Sequence, residues 1–249
     1  MSYRALLLDL DGTTIVSNQR AHATHAVREA VIKAQERISV CIASGRSLAE
    51  AEYLLDELNI SSPSILNHGA EIYDPRTKKT LWSATLSEDQ ARAIYGIYKR
   101  NNLPAYLFND PKHREYHGEA VNAPIYGLWS VGVAEQKAAD LEKQFLSLGY
   151  VAVNKTPSWD KGGLSLEITR SDATKAHAAC ELIKFLHVRR EEVIGVGDSY
   201  NDYPLLMACG LKIAMGNALP ELKAIADYIA PSVTEDGVAT VIEKFVLTS

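Results

Sequence analysis

Hydrophobic residues along the chain follow two styles of spacing. From the N-terminus to about Ala70, short apolar runs alternate with segments whose apolar positions recur every three or four residues. Ala5 to Leu8 reads as a buried strand. Val27, Ala30, Val31 and Ala34 predict a helix over His22 to Arg37. Ile38 to Ala43 is a second strand. Ser47 and Glu50 then form a capping box ahead of Leu48, Ala51, Leu54, Leu55 and Leu58. Pro63 to Leu66 is a third strand. Strands and helices joined by short connections predict right-handed βαβ units on a parallel sheet.

The second style fills the middle of the chain. Glu71 to Tyr73 and Thr80 to Trp82 flank a turn at Asp74-Pro75-Arg76 and predict a hairpin. Ser87 and Gln90 cap a helix reaching about Asn101, and Asn109 to Pro124 reads as loops around short strands. Tyr126 to Val133 is a strand, Ala134 to Leu148 a helix closed by Gly149, and Val151 to Asn154 and Leu164 to Thr169 two more strands. From Ser171 the first style resumes, with a helix to about His187 and strands at Glu192 to Val196, Lys212 to Met215 and Tyr228 to Ile229. The expected fold class is α/β: a Rossmann-like parallel-sheet core from residues 1–83 and 171–249, split by an inserted α+β module at 84–170.

Composition narrows the partners. The 249 residues are 47% hydrophobic and 23% charged, with a formal net charge of −5, as in a globular protein. No basic arm or block is present, so no nucleic-acid partner is expected. The apolar runs are too short to cross a bilayer, so no membrane partner is expected either. Met1-Ser2-Tyr3-Arg4 leads straight into the first strand and leaves no room for a signal peptide. Cys41, Cys180 and Cys209 form neither a disulfide framework nor a zinc pattern; they read as buried thiols of a cytoplasmic protein. Monomer and homodimer both remain open.

The candidate chemistry sits where strands end or helices begin. Asp9 and Asp11 lie on the same side of an extended chain, and Gly12 after them permits a sharp turn. Ser44 ends the second strand beside a helix N-terminus, a place suited to an anion. Lys175 stands near a helix N-terminus, against the helix dipole. Asp198 follows a strand, and Asp202 lies one helical turn on. Singly these are an Asp-Gly turn, a turn serine, a solvated lysine and an N-cap with a first-turn acid. Together they occupy equivalent places on one sheet edge, where open α/β sheets bind ligands. Carboxylates suit Mg²⁺, and a serine with a lysine suits a phosphoryl group. Gly195-Val196-Gly197 lacks the third glycine of a dinucleotide fingerprint, and the seven histidines show no metal-ligand spacing.

Asp9-Leu10-Asp11-Gly12-Thr13, Ala43-Ser44-Gly45-Arg46, Lys175 and Gly197-Asp198-Ser199-Tyr200-Asn201-Asp202 resemble the four motifs of haloacid dehalogenase (HAD) superfamily phosphatases. The resemblance is to the Cof-like, class IIB group, which carries a large α/β cap between the second and third motifs. Glu167-Ile168 and Met215-Gly216-Asn217-Ala218 also fit that group, while Asn67-His68-Gly69-Ala70 departs from it by a histidine. The resemblance implies Mg²⁺-dependent hydrolysis of a small phosphorylated metabolite, a sugar phosphate or related phospho-acid, through an aspartyl-phosphate. It implies Asp9 as nucleophile and Asp11 as acid and base. Asp9, the Asp11 backbone carbonyl and Asp198 would be metal ligands, with Asp202 orienting metal-bound water. Ser44, Lys175 and Asn201 would hold phosphoryl oxygens, within a cradle formed with Gly12, Thr13, Gly45 and Arg46. The cap, with Asn109 to His117 and the segment around Lys155, Trp159 and Lys161, would choose the substrate. A phosphomutase resembling phosphomannomutase and a non-catalytic phosphometabolite-binding protein are the alternatives.

Overall fold

The computed structural model describes residues 2–17, 21–108, 114–158 and 162–248. Its centre is β1 (Ala5–Leu8), four residues with no exposed surface. A strand flanked by neighbours and covered on both faces must be apolar throughout, which explains the unbroken run. α1 (His25–Gln35) follows, capped by the Thr24 hydroxyl, which accepts from the Val27 amide at 3.2 Å. That cap starts the helix three residues later than the apolar pattern suggests. Next come β2 (Ser39–Ile42), α2 (Leu48–Glu57), β3 (Ser64–Leu66), β4 (Glu71–Asp74) and β5 (Lys79–Ser83). The inserted stretch holds α3 (Glu88–Arg100), β6 (Tyr106–Leu107), β7 (Gly127–Val133), α4 (Glu135–Leu146), β8 (Val151–Pro157) and β9 (Leu164–Arg170). The chain then returns through α5 (Lys175–Phe185), β10 (Val193–Gly197), α6 (Tyr203–Ala208), β11 (Leu211–Ala214), α7 (Pro220–Ile225), β12 (Tyr228–Ile229) and α8 (Gly237–Ile242).

The core sheet runs β12-β11-β10-β1-β2, with every pairing parallel. Alternation along β1 sends Leu6 and Leu8 toward one layer and Ala5 and Leu7 toward the other. Val27, Val31 and Ala34 of α1, with Val238, Val241 and Ile242 of α8, cover the first face. Ala178, Ala179 and Leu182 of α5, with Leu205 of α6, cover the second. Cys41 and Cys209 are buried in this second layer, and burial pushes both thiols up to about 12. Cys180 is exposed, contrary to the sequence reading, because the inward stripe of α5 passes through Ala178, Ala179 and Leu182 and leaves position 180 outside.

β3 also differs from expectation. It meets β2 through a single parallel bridge, Ala43 to Ile65, while its ladder is antiparallel with β4, which pairs in turn with β5. Asn67 and His68, at φ of 51° and 58°, fold the chain back at once, so no crossover helix follows.

In the inserted stretch the order is β6-β7-β9-β8, all antiparallel. One face packs Leu128, Val151, Leu166 and Ile168 against Ile94, Tyr98, Leu141 and Phe145 of α3 and α4, a separate hydrophobic core. The opposite, helix-free face carries Trp129 and Asn154, both registered beside Glu167. Among the described residues no helix is long and apolar enough to cross a membrane. Residues 109–113 of the Asn109 to His117 stretch, and Trp159 and Lys161, lie outside the described residues.

Candidate active site

The ends of β1 and β10 lie side by side, which brings distant acids together. The Asp9 amide donates to the Val196 carbonyl at 3.1 Å, extending the ladder one residue beyond β1. The chain then wraps tightly, with the Leu10 carbonyl accepting from the amides of Thr13, Thr14 and Ile15 at 3.2, 2.9 and 2.9 Å. The Thr14 hydroxyl donates to the Asp9 carbonyl at 2.6 Å. Gly12 has φ +82°, and a Cβ there would come within 2.3 Å of Asp198 Oδ2. Glycine is required both by conformation and by the approach of that carboxylate.

Lys175 is the first residue of α5, whose Thr174 cap accepts from the His177 amide. Its ammonium, 3% exposed as a residue, donates to Asp9 Oδ1 at 2.6 Å and Asp202 Oδ1 at 2.7 Å. A lysine at this position is therefore not solvated; two buried carboxylates hold it against the helix dipole. The other oxygen of Asp202 accepts from the amides of Asp198 and Ser199 at 3.0 and 3.1 Å. Asp202 thus shapes the turn after β10 while facing the lysine. Thr13 donates its hydroxyl proton to Asp198 Oδ1 at 3.2 Å. Asn217 donates to the Gly12 carbonyl at 2.8 Å and stands 3.4 Å from Asp198 Oδ2.

Oxygens of Asp9, Asp198 and Asp202 all lie within 4.8 Å of one another. Burial and the Asp202 charge push Asp9 well above the usual carboxylate range, with Lys175 pulling the other way. Burial and Asp202 push Asp198 up to about 7. Burial alone would lower Lys175, but Asp202 and Asp9 outweigh it and hold the ammonium above its ordinary value. Three carboxylates around one ammonium leave an excess of negative charge in a poorly solvated place. A hard divalent cation fits that donor set.

Asp11 is turned away from this group. Both its oxygens accept from Arg46, from Nε at 2.8 Å and from Nη2 at 2.7 Å. Arg46 also donates to the Tyr53 hydroxyl at 3.2 Å and the Glu50 carbonyl at 3.3 Å, and Tyr53 donates to the Ala21 carbonyl at 2.9 Å. The buried Ser44 hydroxyl accepts from the Arg46 amide at 3.1 Å, leaving its own proton to donate. Gly45 lies beside it, under the His68 ring. Asn201 is half-buried, and among the described residues its side chain makes no hydrogen bond into the cluster. Sequence reasoning missed Asn217 and Tyr53 as supports. The first stood in a quoted motif without a role; the second carries no local signal.

The haloacid dehalogenase-like hydrolase family model matches residues 6–119 and 119–242. The 5-amino-6-(5-phospho-D-ribitylamino)uracil phosphatase YcsE of Bacillus subtilis is 26% identical over 250 residues, covering 98% of this chain and 96% of the relative. A phosphoglycolate phosphatase of Staphylothermus marinus is 26% identical over 253 residues, covering 97% of each. A solved haloacid dehalogenase-like hydrolase from Bacteroides thetaiotaomicron superposes with TM-score 0.82 at 26% identity, over 98% of this chain and 99% of that one. The HAD subclass IIB sugar phosphatase BT4131 shares the fold, with TM-score 0.77 at 19% identity over 97% and 98% of the two chains. With acids from the loops after two neighbouring strands and a lysine meeting at one sheet edge, the chain belongs to the haloacid dehalogenase-like hydrolase family and is a phosphatase of its Cof-like kind.

Proposed function

We propose that the protein hydrolyses the phosphate monoester of a small polar metabolite by way of a phosphorylated Asp9. Residues 1–83 and 171–249 act as the catalytic core, and residues 84–170 as a cap that selects the leaving group. The observation that carries this reading is the buried Asp9–Lys175–Asp202 chain with Asp198 beside it. One oxygen of Asp9 is held by Lys175, which fixes the carboxylate and leaves the other oxygen for attack.

In the first step an Asp9 oxygen bonds to phosphorus and the bond to the ester oxygen breaks. Asp11 gives its proton to that departing oxygen. In the second step water attacks phosphorus, Asp11 takes the water proton, and the Asp9–phosphorus bond breaks to release inorganic phosphate. Such an acid and base contributes roughly 10²–10⁴-fold. The Arg46 fork on both Asp11 oxygens aims the carboxyl. Ser44 and Lys175 donate to phosphoryl oxygens, and Asn201 stands at the rim as a further donor.

Asp9, Asp198 and Asp202, with the Asp11 backbone carbonyl, would hold Mg²⁺, which when bound neutralises carboxylates and phosphate alike and polarises the phosphoryl group. Asp9→Asn tests the nucleophile. Hydrolysis of p-nitrophenyl phosphate with Mg²⁺ should fall to background while thermal unfolding stays cooperative. Near-normal turnover in that variant would overturn the assignment.

A further inference from the structure

His68 is where the core reaches the cap beside the phosphoryl site. It directly follows β3 and Asn67, and its amide donates to the Ser44 carbonyl at 3.3 Å. Its ring covers Gly45 so closely that a Cβ there would lie 2.3 Å from Cε1. The imidazole is therefore fixed one residue from the Ser44 hydroxyl. From the cap, Glu167 Oε2 comes within 3.0 Å of His68 Nε2, and the two side chains are 11% and 13% exposed. The Thr156 hydroxyl donates to Glu167 Oε1 at 2.9 Å, and the Phe108 ring lies 5.4 Å from that of His68.

This couple is incompletely partnered. His68 Nδ1, Glu167 Oε2 and the neighbouring Asn67 Oδ1 are buried, yet among the described residues none makes a hydrogen bond. The 3.0 Å approach thus brings two polar groups together without satisfying them. Leaving a buried polar group unsatisfied is costly, so three in one place call for an explanation. A pair serving only to hold the cap on the core would gain most by bonding fully; this one leaves buried polar atoms without a hydrogen bond beside the reaction site.

Resting on the phosphatase reading above, we propose that His68 and Glu167 form the leaving-group subsite, an aromatic-walled donor and acceptor pair that takes a hydroxyl of a polyol or sugar phosphate. A hydroxyl both donates and accepts, and so can answer both partners. The charges agree. Burial and the nearby Lys175 push His68 down to about 4, and burial pushes Glu167 up to about 7, so the pair offers a leaving group little positive charge. Lys175 and Arg46, the cations bordering the site among the described residues, are bonded to Asp9, Asp202 and Asp11. A leaving group bearing a carboxylate would meet Glu167, with Lys175 and Arg46 already bonded to carboxylates of the core.

Steady-state kinetics with Mg²⁺ on ribitol 5-phosphate, n-pentyl phosphate and p-nitrophenyl phosphate test this for the wild type, His68→Asn and Glu167→Leu. Asparagine tolerates the left-handed backbone at position 68. The wild type should favour ribitol 5-phosphate over n-pentyl phosphate in kcat/KM. Each variant should lose roughly 10–100-fold on ribitol 5-phosphate and no more than about 3-fold on the other two, erasing the preference. Equal losses on all three substrates, or no loss on ribitol 5-phosphate, would each overturn the proposal. Should Glu167→Leu fail to fold, Glu167→Gln replaces it and should lose less, because the amide keeps a polar group there. If the wild type turns over none of the esters, the phosphatase reading fails by itself. The subsite is then read by calorimetric binding of ribitol 5-phosphate and n-pentyl phosphate, where equal wild-type affinities for the two overturn it.

Discussion

The carboxylate cluster of the core and the helix-free face of the cap stand opposite each other but are built differently. In the core the polar atoms are tightly engaged: Asp202 accepts from two amides and a lysine, Asp9 from that lysine, and Asp198 from a threonine. On the cap side Glu167 accepts one hydroxyl, and its other oxygen has no hydrogen bond among the described residues. A fully engaged cluster has one geometry, as bond-making at phosphorus demands. A partly engaged face accommodates a ligand that supplies the remaining bonds. On the proposed reading, the difference separates the groups that set reaction type from those that set substrate.

Breaking the engaged side should have the largest effect. Lys175→Met leaves Asp9 and Asp202 buried without their cation, which should cost about 3–5 kcal/mol of metal-free stability and roughly 10²–10³-fold in kcat. Urea unfolding and turnover of p-nitrophenyl phosphate measure the two; a variant as stable and active as the wild type would show that the lysine does not hold the cluster.

Titration should have a smaller but signed effect. Asp198 sits at about 7 when folded, against an ordinary 3.8, so between those values the folded state holds more protons than the unfolded. Its contribution to metal-free stability therefore declines as pH rises through that window. Asp198→Asn should flatten this decline in melting temperature measured from pH 4 to 7. His68 and Glu167 titrate in both proteins, so the difference reports Asp198 together with its charge's effect on Asp9. Mg²⁺ should oppose the decline in the wild type, adding about 2.7 kcal/mol at a hundredfold excess over its Kd. A steeper slope in the variant would contradict the assignment.

On the cap face the smallest change is expected from Thr156→Val, which removes only the hydroxyl that orients Glu167. It should shift KM for ribitol 5-phosphate about 2–5-fold while kcat on p-nitrophenyl phosphate stays unchanged. A fall in kcat on both esters would place Thr156 in the fold rather than in recognition.

How much of this was legible along the chain follows the same division. Asp9, Asp11 and Asp198 each end or follow a short apolar run, so local pattern and the rule that ligands meet the carboxyl edge of a parallel sheet bring them together. Lys175 is different. Its carboxylate partners lie 166 and 27 residues away, and a lone lysine carries no mark of burial. The antiparallel ladder of β3 is not legible in the sequence, because a three-residue strand does not specify its partner; the left-handed turn at Asn67 and His68 decides it. Cys180 was misplaced by helix phase, since apolar neighbours in sequence do not all share the inward stripe. The Arg46–Asp11 fork and the His68–Glu167 approach depend on contacts across 35 and 99 residues, through loops and between two sheets. No local periodicity encodes such pairs.

The central claim is that Asp9 carries the phosphoryl group. Rapid acid quench of the wild type during turnover, followed by proteolysis and mass spectrometry, measures this directly. The peptide containing Asp9 should gain the mass of one phosphoryl group, located at Asp9, and lose it on treatment with hydroxylamine. A phosphoryl group on another residue, or none during steady turnover on a substrate whose second step is rate-limiting, would contradict the account.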